Sequence, residues 1–151
     1  MNQHDIEGHR ARIRLSETYL TRQLTACEEI FSLAQGLLPE HSFPDMDWWD
    51  ATARMAREME RIEIDARNLY TKHFAVLPAS VAQHLISASG NAAEAKFLPE
   101  EVVDNSSDAH KLIGSVFESL NAAATDLKSE LDGHRHPLLM PALQAKAGVR
   151  K

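Results

Sequence analysis

A single cysteine, Cys27, stands in the whole chain, so no disulfide can form within it and the fold must hold without a covalent cross-link. No run of about 18 apolar residues, the length a membrane helix needs, occurs anywhere. The opening Met1-Asn2-Gln3-His4-Asp5 has neither the basic start nor the apolar run of a secretory leader. A cytoplasmic protein with no membrane contact is the expectation. β-Branched residues never alternate over a useful length, which leaves strands without support. Glycine-rich phosphate loops, a nucleophile elbow and a tellingly spaced Cys–His pair are missing as well. Their absence weighs against an enzyme, and most heavily against one that binds nucleotides.

What the chain does have is helical periodicity. Apolar residues recur as Ile13, Leu20, Leu24, Cys27, Phe31, Ala34, Leu38, mostly in steps of three, four or seven, which is one face of an α-helix. A second stripe runs Met55, Met59, Ile62, Ala66, Leu69, His73, and a third Ile113, Val116, Leu120, Ala123, Leu127, Leu131. Cys27 sits on the first stripe, which points to a buried, unreactive thiol. The spacing predicts an all-α fold: an antiparallel bundle of three long helices, one or two short helices between the second and the last, and an irregular C-terminal tail. At 151 residues one domain suffices. Its bounds are read as residues 1–133, with 134–151 as the tail, set off by Gly133, Pro137 and Pro141.

Local signals refine the boundaries. Pro39 ends the first helix, and Asp45 or Asp47 caps the second, which continues to about Val76. Pro78 opens a shorter helix closed by Gly90, Asn91 with Glu94 suggests a capping box, and Ser107 or Asp108 caps the last long helix.

The net charge of −6 is unevenly spread. From Glu94 to Asp132 nine acids face three lysines, whereas in residues 9–22 Arg10, Arg12, Arg14 and Arg22 meet only Glu17. An acidic chain is a poor general ligand for nucleic acid, which needs excess Lys and Arg to displace counterions. Nucleic acid is therefore not favoured, although the four arginines form a candidate basic patch. A protein partner, including a second copy in a homodimer, is favoured.

Eight histidines raise the question of a metal. No two lie three or four residues apart and no Glu-x-x-His occurs, so neither helical metal geometry is encoded, and no metal or cofactor is expected. Arg67-Asn68-Leu69-Tyr70-Thr71-Lys72-His73 has a different character. It resembles the motif of HEPN ribonucleases, all-α domains in which an Arg, often followed by Asn, precedes a His by four to six intervening residues. The resemblance implies an active site where two such helices meet in a dimer, with Arg67 and His73 as the phosphodiester-cleaving pair and Asn68 beside them. Histidine moves protons near neutral pH and arginine stabilises charge growing on phosphate, so the chemistry is coherent. Six residues turn a helix through about 600°, leaving the two side chains about 120° apart unless a dimer or an irregularity joins them. The alternative reading puts His73 at the edge of the core and Arg67 in a surface ladder with Glu63.

Trp48 and Trp49 open the second helix side by side and point about 100° apart, so both cannot be fully buried. With Phe43 they form a candidate binding surface, or else fold over the end of the bundle as a lid. Taken together, the sequence leads to a non-catalytic helical protein that acts by macromolecular binding, as a regulator, inhibitor or assembly subunit. A dimeric, metal-independent ribonuclease is the alternative.

Overall fold

A computed structural model describes residues 3–38 and 47–135 of the chain. Among the described residues six helices follow one another: α1 (Gln3–Leu37), α2 (Trp48–Met55), α3 (Met59–His73), α4 (Ala79–Ala95), α5 (Glu100–Asn105) and α6 (Ser107–Arg135). Tight 3-10 turns at Ala56–Glu58 and Phe74–Val76 flank α3. Phe43, the Pro39–Pro44 connection and residues 136–151 of the tail lie outside the described residues.

The caps follow from the local sequence. Asp47 takes the N-cap of α2, its carboxylate accepting from the Asp50 amide at 2.9 Å. Pro78 and Pro99 precede α4 and α5, where a missing amide leaves no helical bond unmade. Ser106, one residue earlier than expected, caps α6 by accepting from the Ala109 amide at 3.3 Å. Gly90 does not close a helix. α4 runs through it to Ala95, because Ala88, Ala92 and Ala95 continue one buried face, and burying that face outweighs the ~1 kcal/mol cost of a helical glycine. Asn91 makes no capping box there; its amide donates to Ser115 Oγ on α6 at 3.1 Å.

Long-range bonds fix the topology. Gln23 of α1 donates to the Val76 carbonyl and His73 meets Glu29, so α3 runs antiparallel to α1. Ser89 donates to the Glu63 carbonyl from α4, and His84 and Asn91 of α4 reach Asp126 and Ser115 of α6. Each helix thus runs against its neighbour, and Cys27 of α1 closes the ring by donating to the Ala124 carbonyl of α6 at 3.7 Å. The antiparallel bundle read from the sequence is what the structure shows, with α4 as a complete fourth wall.

Second and third stripes form the core as expected. Met55, Met59, Ile62 and Ala66 are buried on both sides of the 3-10 turn, and all six residues of the third stripe are buried along α6. The first stripe is a different matter. On α1 the core receives Gln23, Ala26, Ile30, Ala34 and Leu37, whereas Ile13, Leu24 and Phe31 are 44%, 38% and 52% exposed. Of the predicted set, Ala34 alone is fully buried, with Leu20, Cys27 and Leu38 partly so. α1 has two apolar faces about 110° apart by helical rotation. The core took the one with smaller side chains, because alanines let helix axes approach to about 8 Å.

Candidate functional site

α3 carries two separate charge clusters. At its C-terminal end His73, buried at the edge of the core, donates from Nε2 to Glu29 of α1 at 2.5 Å. Lys72 donates to the other oxygen of the same carboxylate at 2.7 Å. The hydrogen bond from His73, then that from Lys72, holds the Glu29 carboxyl below its ordinary range. One cluster further up, Glu63 accepts from Arg67 at 3.0 Å and from Lys96 of α4 at 2.6 Å. Its pKa is lowered, chiefly by the Lys96 hydrogen bond and only in smaller part by Arg67.

Arg67 and His73 are therefore not brought together within one chain. Arg67 faces α4 through Glu63, and His73 faces α1 through Glu29. Asn68 lines the cleft between α1 and α3 with Asp65 and Lys72, on the side away from Arg67. Arg22 borders a hollow beside Lys72 and His73, while Arg10, Arg12 and Arg14 lie further out on α1. At about 100° per residue the four arginines spread over an arc of about 200° and do not form a single stripe.

Trp48 and Trp49 fold onto α6. Trp48 makes an edge contact with Phe117, ring centroids 5.8 Å apart, and covers Gly114. Trp49 stacks on His110 at 3.5 Å. Beneath that stack Thr52 donates its only hydroxyl proton to the Trp49 carbonyl at 2.9 Å, so its contact with His110 Nδ1 requires Nδ1 to donate. Both tryptophans stay about half exposed, at 48% and 41%, yet each has an intramolecular reason for its place. With the Phe43 side chain outside the described residues, this surface is a lid on α6 that keeps two partly open rings.

A third feature lies on the outer face of α1. Every described side chain from Gln3 to Tyr19 is exposed, so the N-terminal half of α1 extends beyond the bundle without cover from the other described residues. Ile6, Ile13, Leu24 and Phe31 fall within about 20° of one another around the helix. They form one apolar ridge that faces solvent along most of its length. Where α1 enters the bundle, the ridge borders a groove of about 530 Å³ between Leu24, Cys27 and Phe31 on α1 and Ala124, Lys128 and Leu131 on α6. Glu28 and Asp132 stand on its rim. Burial, followed by the charge of Glu28, raises the Cys27 thiol above its ordinary pKa, which suits a packing role and not a nucleophilic one. The sequence signal for the ridge is its spacing, with steps of seven, eleven and seven residues from Ile6 through Ile13 and Leu24 to Phe31.

Among the described residues no three His, Cys, Asp or Glu side chains cluster in reach of one metal ion, and no helix is long and apolar enough to cross a membrane. Compared with protein-family models, curated proteins and solved structures, the chain shows no match.

Proposed function

We propose that this chain is a non-catalytic, cytoplasmic binding protein that engages a protein partner through the outward ridge of α1. The observation that carries the reading is the exposure of Ile6, Ile13, Leu24 and Phe31 on one face of a helix whose first half is exposed throughout the described residues. A helix of this length draws most of its stability from packing, and isolated helices of about 12–15 residues are marginal in water. An extended apolar face rimmed by charge is the usual mark of an interaction surface. The tryptophan pair supports the reading less, because its rings already pack on Phe117 and His110. The geometry of Arg67 and His73, each held by its own carboxylate, gives the ribonuclease reading no added support.

The test is the native mass of the protein isolated from its own cells at its natural level, for the wild type and for Ile13→Glu. The expected wild-type species is heavier than one chain of 16.9 kDa, and the variant falls to the mass of one chain. A wild-type species at the mass of one chain refutes the reading.

A further inference from the structure

We infer that the occupant of the α1 ridge is a second copy of this chain, laid antiparallel along it, so that the projecting half of each α1 fills the α1–α6 groove of the other. The inference rests on the reading of α1 as a binding ridge and names its partner.

Spacing along the ridge supports self-pairing. A two-fold axis crossing α1 between Thr18 and Tyr19 sets Ile6 of one copy opposite Phe31 of the second, and Ile13 opposite Leu24, with both pairs repeated on the far side of the axis. The large apolar residues of the ridge are then used twice each. Ile6 and Ile13, exposed among the described residues, arrive at the groove that Leu24, Cys27 and Phe31 border.

Charge agrees with the same register. In an antiparallel helix pair, residues on the same flank of the seam face each other. Arg10 and Glu28 both lie about 40° to one side of the ridge and come level in this arrangement. On the opposite flank Arg12 turns toward the α6 of the second copy, at the end where Asp132 rims the groove. The uneven charge of the chain, basic over residues 9–22 and acidic over residues 94–132, is complementary between copies.

Area agrees too. Residues 3–32 of α1 span about 45 Å, and a face about 10 Å wide over that length gives a footprint near 450 Å² on each copy. The flank of α6 widens it toward the roughly 800 Å² per partner of a standard interface.

The experiment is light scattering of the purified full chain over about a hundredfold range of concentration, with circular dichroism to verify the fold of each variant. The wild type is expected at twice 16.9 kDa, dissociating on dilution. Ile13→Glu lies outside the bundle core and is expected to weaken the dimer at least a hundredfold, while Leu15→Glu, on the opposite face of α1, leaves it unchanged. Arg10→Glu and Glu28→Arg are each expected to weaken it about tenfold, and the double variant to recover most of that loss. A dimer that survives Ile13→Glu overturns the interface. Failure of the double variant to recover overturns the antiparallel register. A wild type monomeric at every concentration overturns the second copy as occupant, while a heavier species from cells would still uphold the binding reading with a different protein in the groove.

Discussion

Adjacent residues on α1 provide the sharpest test of which face holds the bundle together. Ile30 is fully buried and Phe31 is half exposed, although Phe31 is the larger and belongs to the stripe that the sequence offers as core. Ile30→Ala removes three buried carbons, worth about 0.8 kcal/mol each on transfer. A residual cavity near 50 Å³ adds about 1.2 kcal/mol at ~24 cal/mol per Å³, for a loss of about 3–4 kcal/mol. Phe31→Ala forfeits about half of the ~3 kcal/mol that full burial would supply and regains about 0.5 kcal/mol of helix propensity, for a loss near 1 kcal/mol. Urea unfolding followed by far-ultraviolet circular dichroism measures both, at a concentration low enough to keep the chain monomeric. Raising the concentration should enlarge the Phe31→Ala effect and leave that of Ile30→Ala unchanged, because only Phe31 stands on the proposed interface. Equal losses for the two variants in the monomer would refute the assignment of the core face.

Three further outcomes follow from the site geometry. The Glu29 and Glu63 carboxyls have folded pKa values below the ordinary 4.5, so their stabilisation is complete above that value and is lost as pH falls through the lower folded values. Thermal melts at decreasing pH should show a steeper acid decline for the wild type than for Glu29→Gln, and equal slopes would count against the Glu29–His73–Lys72 cluster. Trp49→Ala removes the ring stacked on His110 and should cost about 1–2 kcal/mol in urea unfolding; a change below about 0.5 kcal/mol would show that the lid contributes nothing to the fold. Purified wild type and His73→Ala should both leave single-stranded RNA intact, and cleavage by the wild type that disappears in a folded His73→Ala would instead establish the ribonuclease reading.

The sequence revealed most of the architecture where large side chains and the core coincide. α6 is the clearest case, since all six residues of its stripe are large or at least apolar and all are buried. α4 was harder to see as a full wall because after Val81 and Leu85 its buried face continues as Ala88, Ser89, Ala92 and Ala95, with little hydrophobic contrast, and because Gly90 reads as a stop. The core face of α1 was hard to read because it mixes Ala26, Ala34 and the polar Gln23 with Ile30 and Leu37, while Ile13, Leu24 and Phe31 on the neighbouring face stayed out. The Arg67–Glu63 pair was legible from a four-residue spacing, whereas the bonds of His73 to Glu29 and of Lys96 to Glu63 join residues far apart in sequence. The same applies to the Trp49 stack on His110, which no local pattern announces.

Gln23 marks the point where α1 leaves the bundle. Fully buried, its amide donates to the Val76 carbonyl at 2.9 Å and to the Tyr19 hydroxyl at 3.2 Å, which ties the helix to the turn after α3. From there to Ile6 is about 25 Å of helix, along which every described side chain from Tyr19 outward is exposed. That geometry makes α1 a lever with its fulcrum at Gln23. A change of only 5° in how the helix sits against α3 would carry Ile6 through about 2 Å, so a small repacking around Val76 is magnified at the far tip of the arm.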